Sequence, residues 1–161
     1  YYAFGAALSE VHVDGRTGEY HVEQVDILHD VGHSLNEAVD RGQIEGGFIQ
    51  GMGWLTTEEL LWNDEGRLMS ASPSTYKIPT AHDLPKIFNV SLFERANEAP
   101  TIYRSKAVGE PPLMLAISVW CALKDACASV CQYKVSPDLA VPATPEQVCW
   151  AMERAREFVD E

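Results

Sequence analysis

In the stretch RSKAVGEPPLMLAIS, residues 104–118, the carboxylate of Glu110 stands between a glycine and two prolines at the head of an apolar run. Proline disfavours the helical region for the residue before it. The pattern therefore predicts an extended Glu110 at the entrance of a helix whose first turn begins with Pro111. Gly109 allows a sharp turn or a close backbone approach, and the free N–H groups of a first helical turn attract negative charge. Two roles fit an acid placed this way: a base held in fixed geometry for proton abstraction, or a carboxylate that only stabilises a helix N-terminus. The local sequence leaves both open.

A second group is the glycine set at 42, 46, 47, 51 and 53. Each costs a helix roughly 1 kcal/mol relative to alanine, so five together imply close approach of a ligand or another backbone. The i, i+4 spacing of Gly42 with Gly46, and of Gly47 with Gly51, fits tight helix packing equally well. Gln43 and Gln50 are the polar residues of this patch able to read a ligand, because an amide both donates and accepts. His29 and His33 lie four apart, but Gly32 and the strand-like residues before it argue against one helical face. There is no His-Glu-x-x-His, G-x-S-x-G, G-x-G-x-x-G or P-loop pattern, which argues against zinc hydrolase, serine hydrolase, Rossmann and P-loop chemistry.

The elements that must position these residues follow from periodicity. Residues 3–13 and 19–29 alternate around VDGRTGE, whose Asp-Gly and Thr-Gly pairs predict a hairpin turn. From Ser34 a capping box with Glu37 is expected to open one long glycine-rich helix, with Ile44, Phe48, Met52 and Leu55 recurring at helical spacing. NDEG predicts a turn, Pro73 to Pro85 an ordered loop, and IFNVSLFE a strand. The run after Glu110 is expected to be helical to about Cys131 and buried on most faces. TPEQ, with Thr144 as N-cap and Gln147 closing a capping box, starts a last helix carrying Val148, Met152 and Ala155 on one side. The tail RAREFVDE is expected to fray. The fold class is α+β: a hairpin and mixed strands packed with three helices, in one domain or part of one.

The chain has 161 residues, with 12 Lys and Arg against 24 Asp and Glu, a formal net charge of −12. That balance makes nucleic acid and anionic membranes poor partners. The apolar stretch from Pro111 to Leu123 is expected to be a core helix too short to span a bilayer. No secretory signal is visible in the first residues, and the expected location is cytoplasmic. Cys121, Cys127, Cys131 and Cys149 form no Cys-x-x-Cys pair and are read as reduced core thiols.

Taken in order, DVGHSLNEAVDRGQIEGGFIQGMGW (30–54), PSTYKIPT (73–80) and RSKAVGEPPL (104–113) resemble the C-terminal portion of the molybdenum-binding subunit of the xanthine dehydrogenase and aldehyde oxidase family, over nearly the whole chain. The resemblance implies that residues 1–161 are the C-terminal part of a larger molybdopterin-binding domain. It implies a hydroxylase that takes its oxygen from water, with FAD and 2Fe-2S clusters on other domains or subunits. By position, Gln43 matches a pterin-contacting glutamine, Lys106, Ala107, Val108 and Gly109 match a loop whose backbone borders the cofactor, and Glu110 matches the general base. No protein ligand to a metal is implied, since the pterin sulfurs hold the molybdenum. Glu37 departs from the family's usual proline after Asn36. The implied substrate is a purine such as xanthine or hypoxanthine; a related aldehyde or N-heterocycle hydroxylase, or a non-catalytic assembly or scaffold domain, are the alternatives. The substrate-choosing residues lie outside this region, so the chain alone is expected to be inactive. It is also expected to self-associate through the face that meets the remainder of its subunit.

Overall fold

The computed structural model describes residues 1–159. Strand β1, Gly5–Val13, and strand β2, Tyr20–His29, form the antiparallel hairpin, and β3, Ile87–Leu92, joins β2 in parallel to give the order β1-β2-β3. The turn is built as its residue types require. The Asp14 carboxylate accepts from the backbone N–H groups of Arg16 and Thr17 at 2.7 and 3.2 Å. Gly18 sits at φ 75°, where a Cβ would lie 2.6 Å from the Cys149 nitrogen, so only glycine lets the hairpin tip rest on the last helix.

Helix α1 runs from Glu37 to Thr56 and buries Ile44, Phe48 and Met52. Its cap differs from the expected Ser34–Glu37 box. Asn36 is the N-cap, extended at φ −158°, and its side chain accepts from Ala38 and Val39. Ser34 instead donates to Asp40 at 2.6 Å. With Asn36 as cap, Glu37 is the first helical residue rather than the third, so it cannot reach back to close a box.

The apolar run also departs from expectation. A 3₁₀ segment, Pro111–Ala116, precedes helix α2, Ile117–Ser129. The combined segment has 19 residues and is long and apolar enough to cross a membrane by length and composition, which the shorter apolar stretch read from the sequence did not suggest. Only one side of it is covered. Val119, Leu123 and Cys127 are buried, whereas Met114 and Ile117 are 59% and 47% exposed. Two residues in left-handed backbone, Gln132 and Tyr133, end the helical path before it can continue.

Helix α3, Pro145–Arg156, opens with the expected N-cap, Thr144 accepting from Gln147 N–H, but Gln147 does not close a box, because the Thr144 N–H donates to the Pro142 carbonyl at 2.9 Å; the helix buries Val148, Ala151, Met152 and Ala155. The tail does not fray as far as Val159. Lys134 donates to the carbonyls of Phe158 and Val159 at 3.2 and 3.1 Å, and the Arg156 guanidinium donates to the Gly15 carbonyl. Residues 160 and 161 of the expected frayed tail lie outside the described residues.

The core joins β2 (Val25, Ile27), α1 (Ile44, Phe48), α2 (Leu123) and α3 (Met152) in one cluster. Each large apolar side chain buried there contributes roughly 1.5–3 kcal/mol. The loop from Pro73 to Pro85 is ordered by polar contacts, with Tyr76 donating to Glu58 at 2.5 Å and Thr57 to the Lys77 carbonyl at 2.7 Å. Cys127 and Cys131 are buried and Cys149 partly so, but Cys121 is exposed, against the reading of four core thiols. Burial pushes the Cys127 thiol up to about 11.

Candidate functional site

Two of the three sequence motifs are laced together at the end of β2. Gly32, at φ 64°, forms a bridge with Ser105, and a Cβ at Gly32 would lie 3.0 Å from the Ser105 carbonyl carbon. Lys106 N–H donates to the Val31 carbonyl at 2.8 Å and His33 N–H to the Arg104 carbonyl at 3.0 Å. The Asp30 carboxylate accepts from Gly32 N–H at 2.9 Å and from the Lys106 ammonium, which also donates to the Tyr2 carbonyl at 2.9 Å. The Lys106 and Asp30 side chains are only 9% and 6% exposed. Asp30 carried no assigned role in the sequence reading. Its signal there was the acid-x-glycine spacing of Asp30 and Gly32, a pattern in which a carboxylate caps its own turn.

Upstream, Asn97 is buried and its side chain donates to Thr101 and to the Ser105 carbonyl, at 3.1 and 3.3 Å. Tyr103 and Arg104 are held at φ 49° and 61°. The chain thus enters the 105–110 loop in a fixed direction. Lys106 begins that loop with both its backbone N–H and its ammonium turned into the fold, while Ala107 N–H donates to the Tyr1 hydroxyl at 3.0 Å. Among the described residues, the N–H groups of Val108, Gly109 and Glu110 donate to no protein acceptor. They are the donors of the loop that the fold leaves unspent.

The expectation of free N–H groups beyond Glu110 is corrected here. Pro111 and Pro112 have none, and Leu113 N–H donates to the Glu110 carbonyl at 3.1 Å. The expected extended backbone is also absent: Glu110 has φ −101° and ψ −40°, in the helical region. The Leu113 bond closes a 3₁₀ turn on the Glu110 carbonyl, which sets the backbone of Pro111 and Pro112; Glu110 itself lies in the helical region although a following proline disfavours it. The Glu110 side chain is exposed and makes no capping bond.

Helix α1 meets this loop through its glycines. A Cβ at Gly47 would lie 3.2 Å from the Pro112 Cβ and 3.7 Å from the Gly109 carbonyl oxygen; one at Gly51 would lie 2.9 Å from the Ala116 Cβ. One turn earlier, the Gln43 Oε1 lies 3.6 Å from the position of a Cβ at Gly109. Gln43, Gly109 and Glu110 therefore share one exposed rim. Gly42 and Gly46 have nothing within 4 Å of their Cβ positions, so their helix surface beside Gln43 is bare. Gln50 is exposed two turns along the same helix. His29 and His33 do not converge: His29 is buried at the end of β2 and His33 is exposed.

The family model for the molybdopterin cofactor-binding domain matches residues 1–85. This chain belongs to that family. Over 92% of its length it is 45% identical to xanthine dehydrogenase 1 of Arabidopsis thaliana, and over 99% it is 48% identical to aldehyde oxidase 2 of Mus musculus. The chain spans 12% of each of these relatives. Its fold also matches the crystal structure of quinoline 2-oxidoreductase from Pseudomonas putida 86, with a TM-score of 0.78 and 28% identity over 89% of this chain and 18% of that one. It thus corresponds to part of the molybdopterin-binding region of the xanthine dehydrogenase and aldehyde oxidase family, and its three helices and three-stranded mixed sheet are the α+β arrangement read from the sequence. The rim fits a molybdopterin on its own chemistry. It offers unspent backbone donors at 108–110, an amide at Gln43, and glycine surface that no side chain fills.

Proposed function

We propose that this chain is the C-terminal part of the molybdopterin domain of a molybdenum hydroxylase acting on purines, with Glu110 as the general base. The observation that carries the reading is the shared rim: Gln43 beside Gly109, with the exposed Glu110 carboxylate next in sequence and three backbone N–H groups unspent around it. In this reading Gln43 and the backbone of Val108 and Gly109 hold the pterin, and Lys106 and Ala107 anchor the loop from behind. Bound molybdopterin supplies the two-electron redox chemistry, with the oxygen coming from water.

The chain's own residues supply position and a proton acceptor. Pro111 and Pro112 fix the backbone just past Glu110, and Gly47 lets that segment lie against α1, so the backbone that carries the carboxylate is held in place. Glu110 takes a proton on a carboxylate oxygen, and geometry matters more than basicity for such a step. The rest of the subunit, a purine substrate, and FAD and iron-sulfur centres on other domains or subunits complete the proposal. It is supported by the xanthine dehydrogenases among the relatives; the aldehyde oxidase match over 99% of the chain favours an aldehyde as second reading.

The test is Glu110→Gln in the complete enzyme. Molybdenum content should persist while turnover falls by about 10²–10⁴-fold, the usual contribution of a general base. Rates on xanthine and on a simple aldehyde separate the two substrate readings. Near-normal turnover on the better substrate removes Glu110 from the mechanism.

A further inference from the structure

The far end of the hairpin, away from the Gln43–Glu110 rim, carries a second group of side chains that the proposed function does not use. His12 of β1 and His21 of β2 are directly paired across the strands, and their rings stack with centroids 5.2 Å apart and 12° between planes. The register shifts beside them: Glu10 pairs with Gln24 and Val11 with Val22, which leaves Glu23 as the extra residue of a bulge. A bulge re-aims its side chain. Here Glu23 Oε1 comes into contact with His21 Nε2. One ligand atom from each of His12, His21 and Glu23 can be chosen so that all lie within 4.8 Å of one another.

The group already holds a positive charge. Lys86, just before β3, is fixed by its backbone N–H on the Val22 carbonyl at 3.3 Å. Its ammonium lies 2.8 Å from Glu23 Oε1 and 3.1 Å from His21 Nε2. An ammonium can only donate, so Glu23 Oε1 offers it a lone pair, and His21 Nε2 lies at the distance where it could offer another. A metal ion asks the same of both groups.

We infer that His12, His21 and Glu23 form an exposed site for a divalent transition-metal ion of the zinc type, which binds by displacing the Lys86 ammonium. Two imidazoles and one carboxylate suit zinc, nickel or copper, and disfavour magnesium and calcium, which prefer all-oxygen shells. Bonds of about 2.0–2.2 Å to zinc bring ligand atoms to roughly 3.3 Å apart. Exposed side chains 4.8 Å apart or less reach that spacing by rotation about their own bonds. His29 and His33, the spacing first visible in sequence, play no part; His12 and His21 are nine residues apart and meet only through hairpin register.

Zinc chloride titrated into the complete enzyme against a chromophoric chelator tests the site. Wild type should bind one more zinc equivalent than the His12→Ala/His21→Ala double variant. Glu23→Gln should weaken binding by about tenfold or more, since even an outer-sphere partner contributes that much. Lys86→Met removes the competing ammonium and should bind zinc more tightly than wild type. Circular dichroism and molybdenum content equal to wild type confirm that the variants fold. Equal zinc stoichiometry and affinity in wild type and the double variant would overturn the site. Unchanged or weaker binding in Lys86→Met would overturn the displacement, independently of how the histidine variants fold.

Discussion

The ammonium of Lys106 is locked onto the carboxylate of Asp30, 76 residues away in sequence, with both side chains almost wholly removed from solvent. The pair ties the end of β2 to the loop that precedes Glu110, and the Lys106 charge sits 5.2 Å from the centre of the Phe4 ring. Lys106 is therefore a structural anchor for the rim, and its charge is not offered to a ligand.

That arrangement predicts asymmetric mutational costs. Lys106→Met leaves the Asp30 charge buried without its partner, and should destabilise by about 3–5 kcal/mol in urea denaturation. Lys106→Met/Asp30→Leu removes both charges and should recover most of the loss. If the ammonium instead served a bound anion directly, the single variant would lose cofactor while its unfolding midpoint stayed in place.

His29 gives a pH dependence with a definite sign. It is 1% exposed, and its Nδ1 has no hydrogen-bond partner. Burial pushes its pKa below the ordinary 6.5, only partly opposed by the neighbouring Asp30 carboxylate. The unfolded chain then binds a proton at higher pH than the folded one. Stability from this group is fully present above about 6.5, falls as pH drops through that value, and levels off once the folded form also protonates. Unfolding free energies measured from pH 8 to 5 should show that fall in wild type. His29→Leu should flatten it, and identical pH profiles in the two proteins would count against the burial of a neutral imidazole.

What the sequence displayed depended on how local the cause was. The hairpin turn was legible because Asp14 and Gly18 act within six residues, and the start of α3 because Thr144 and Gln147 act within four. The α1 cap was misplaced because Ser34 and Asn36 are both good caps and only the contact of Ser34 with Asp40 distinguishes them. The Glu110 residue was legible but its backbone was not, because the preference of a residue before proline for extended backbone is a tendency that this position does not follow. The Asp30–Lys106 and His12–His21 pairs were invisible because their members come from different elements, and Asn97 because its local partners, Thr101 and Ser105, belong to no motif. The resemblance supplied Gln43 and the 106–109 loop as a pair; the structure adds that the lysine of that loop faces inward and that only its last residues keep free donors.

The α1 glycines provide a test of function separate from Glu110, because the structure divides them into two kinds. At Gly51 a Cβ would land on the Leu113 carbonyl and 2.9 Å from the Ala116 Cβ, both in the segment that follows Glu110. Gly51→Ala should therefore overpack α1 against that segment and cost about 1–3 kcal/mol. At Gly46 nothing lies within 4 Å of the added carbon. If that face were ordinary solvent-exposed helix, Gly46→Ala would stabilise the protein by about 1 kcal/mol, the difference in helix propensity. If it is the bare surface on which the pterin rests, Gly46→Val in the complete enzyme should leave the fold intact, as judged by circular dichroism, and lower the molybdenum content. Thermal melting of the two alanine variants and metal analysis of the valine variant separate the cases. A Gly46→Val enzyme with full molybdenum and normal turnover would move the cofactor off this stretch of helix, whatever Glu110 does.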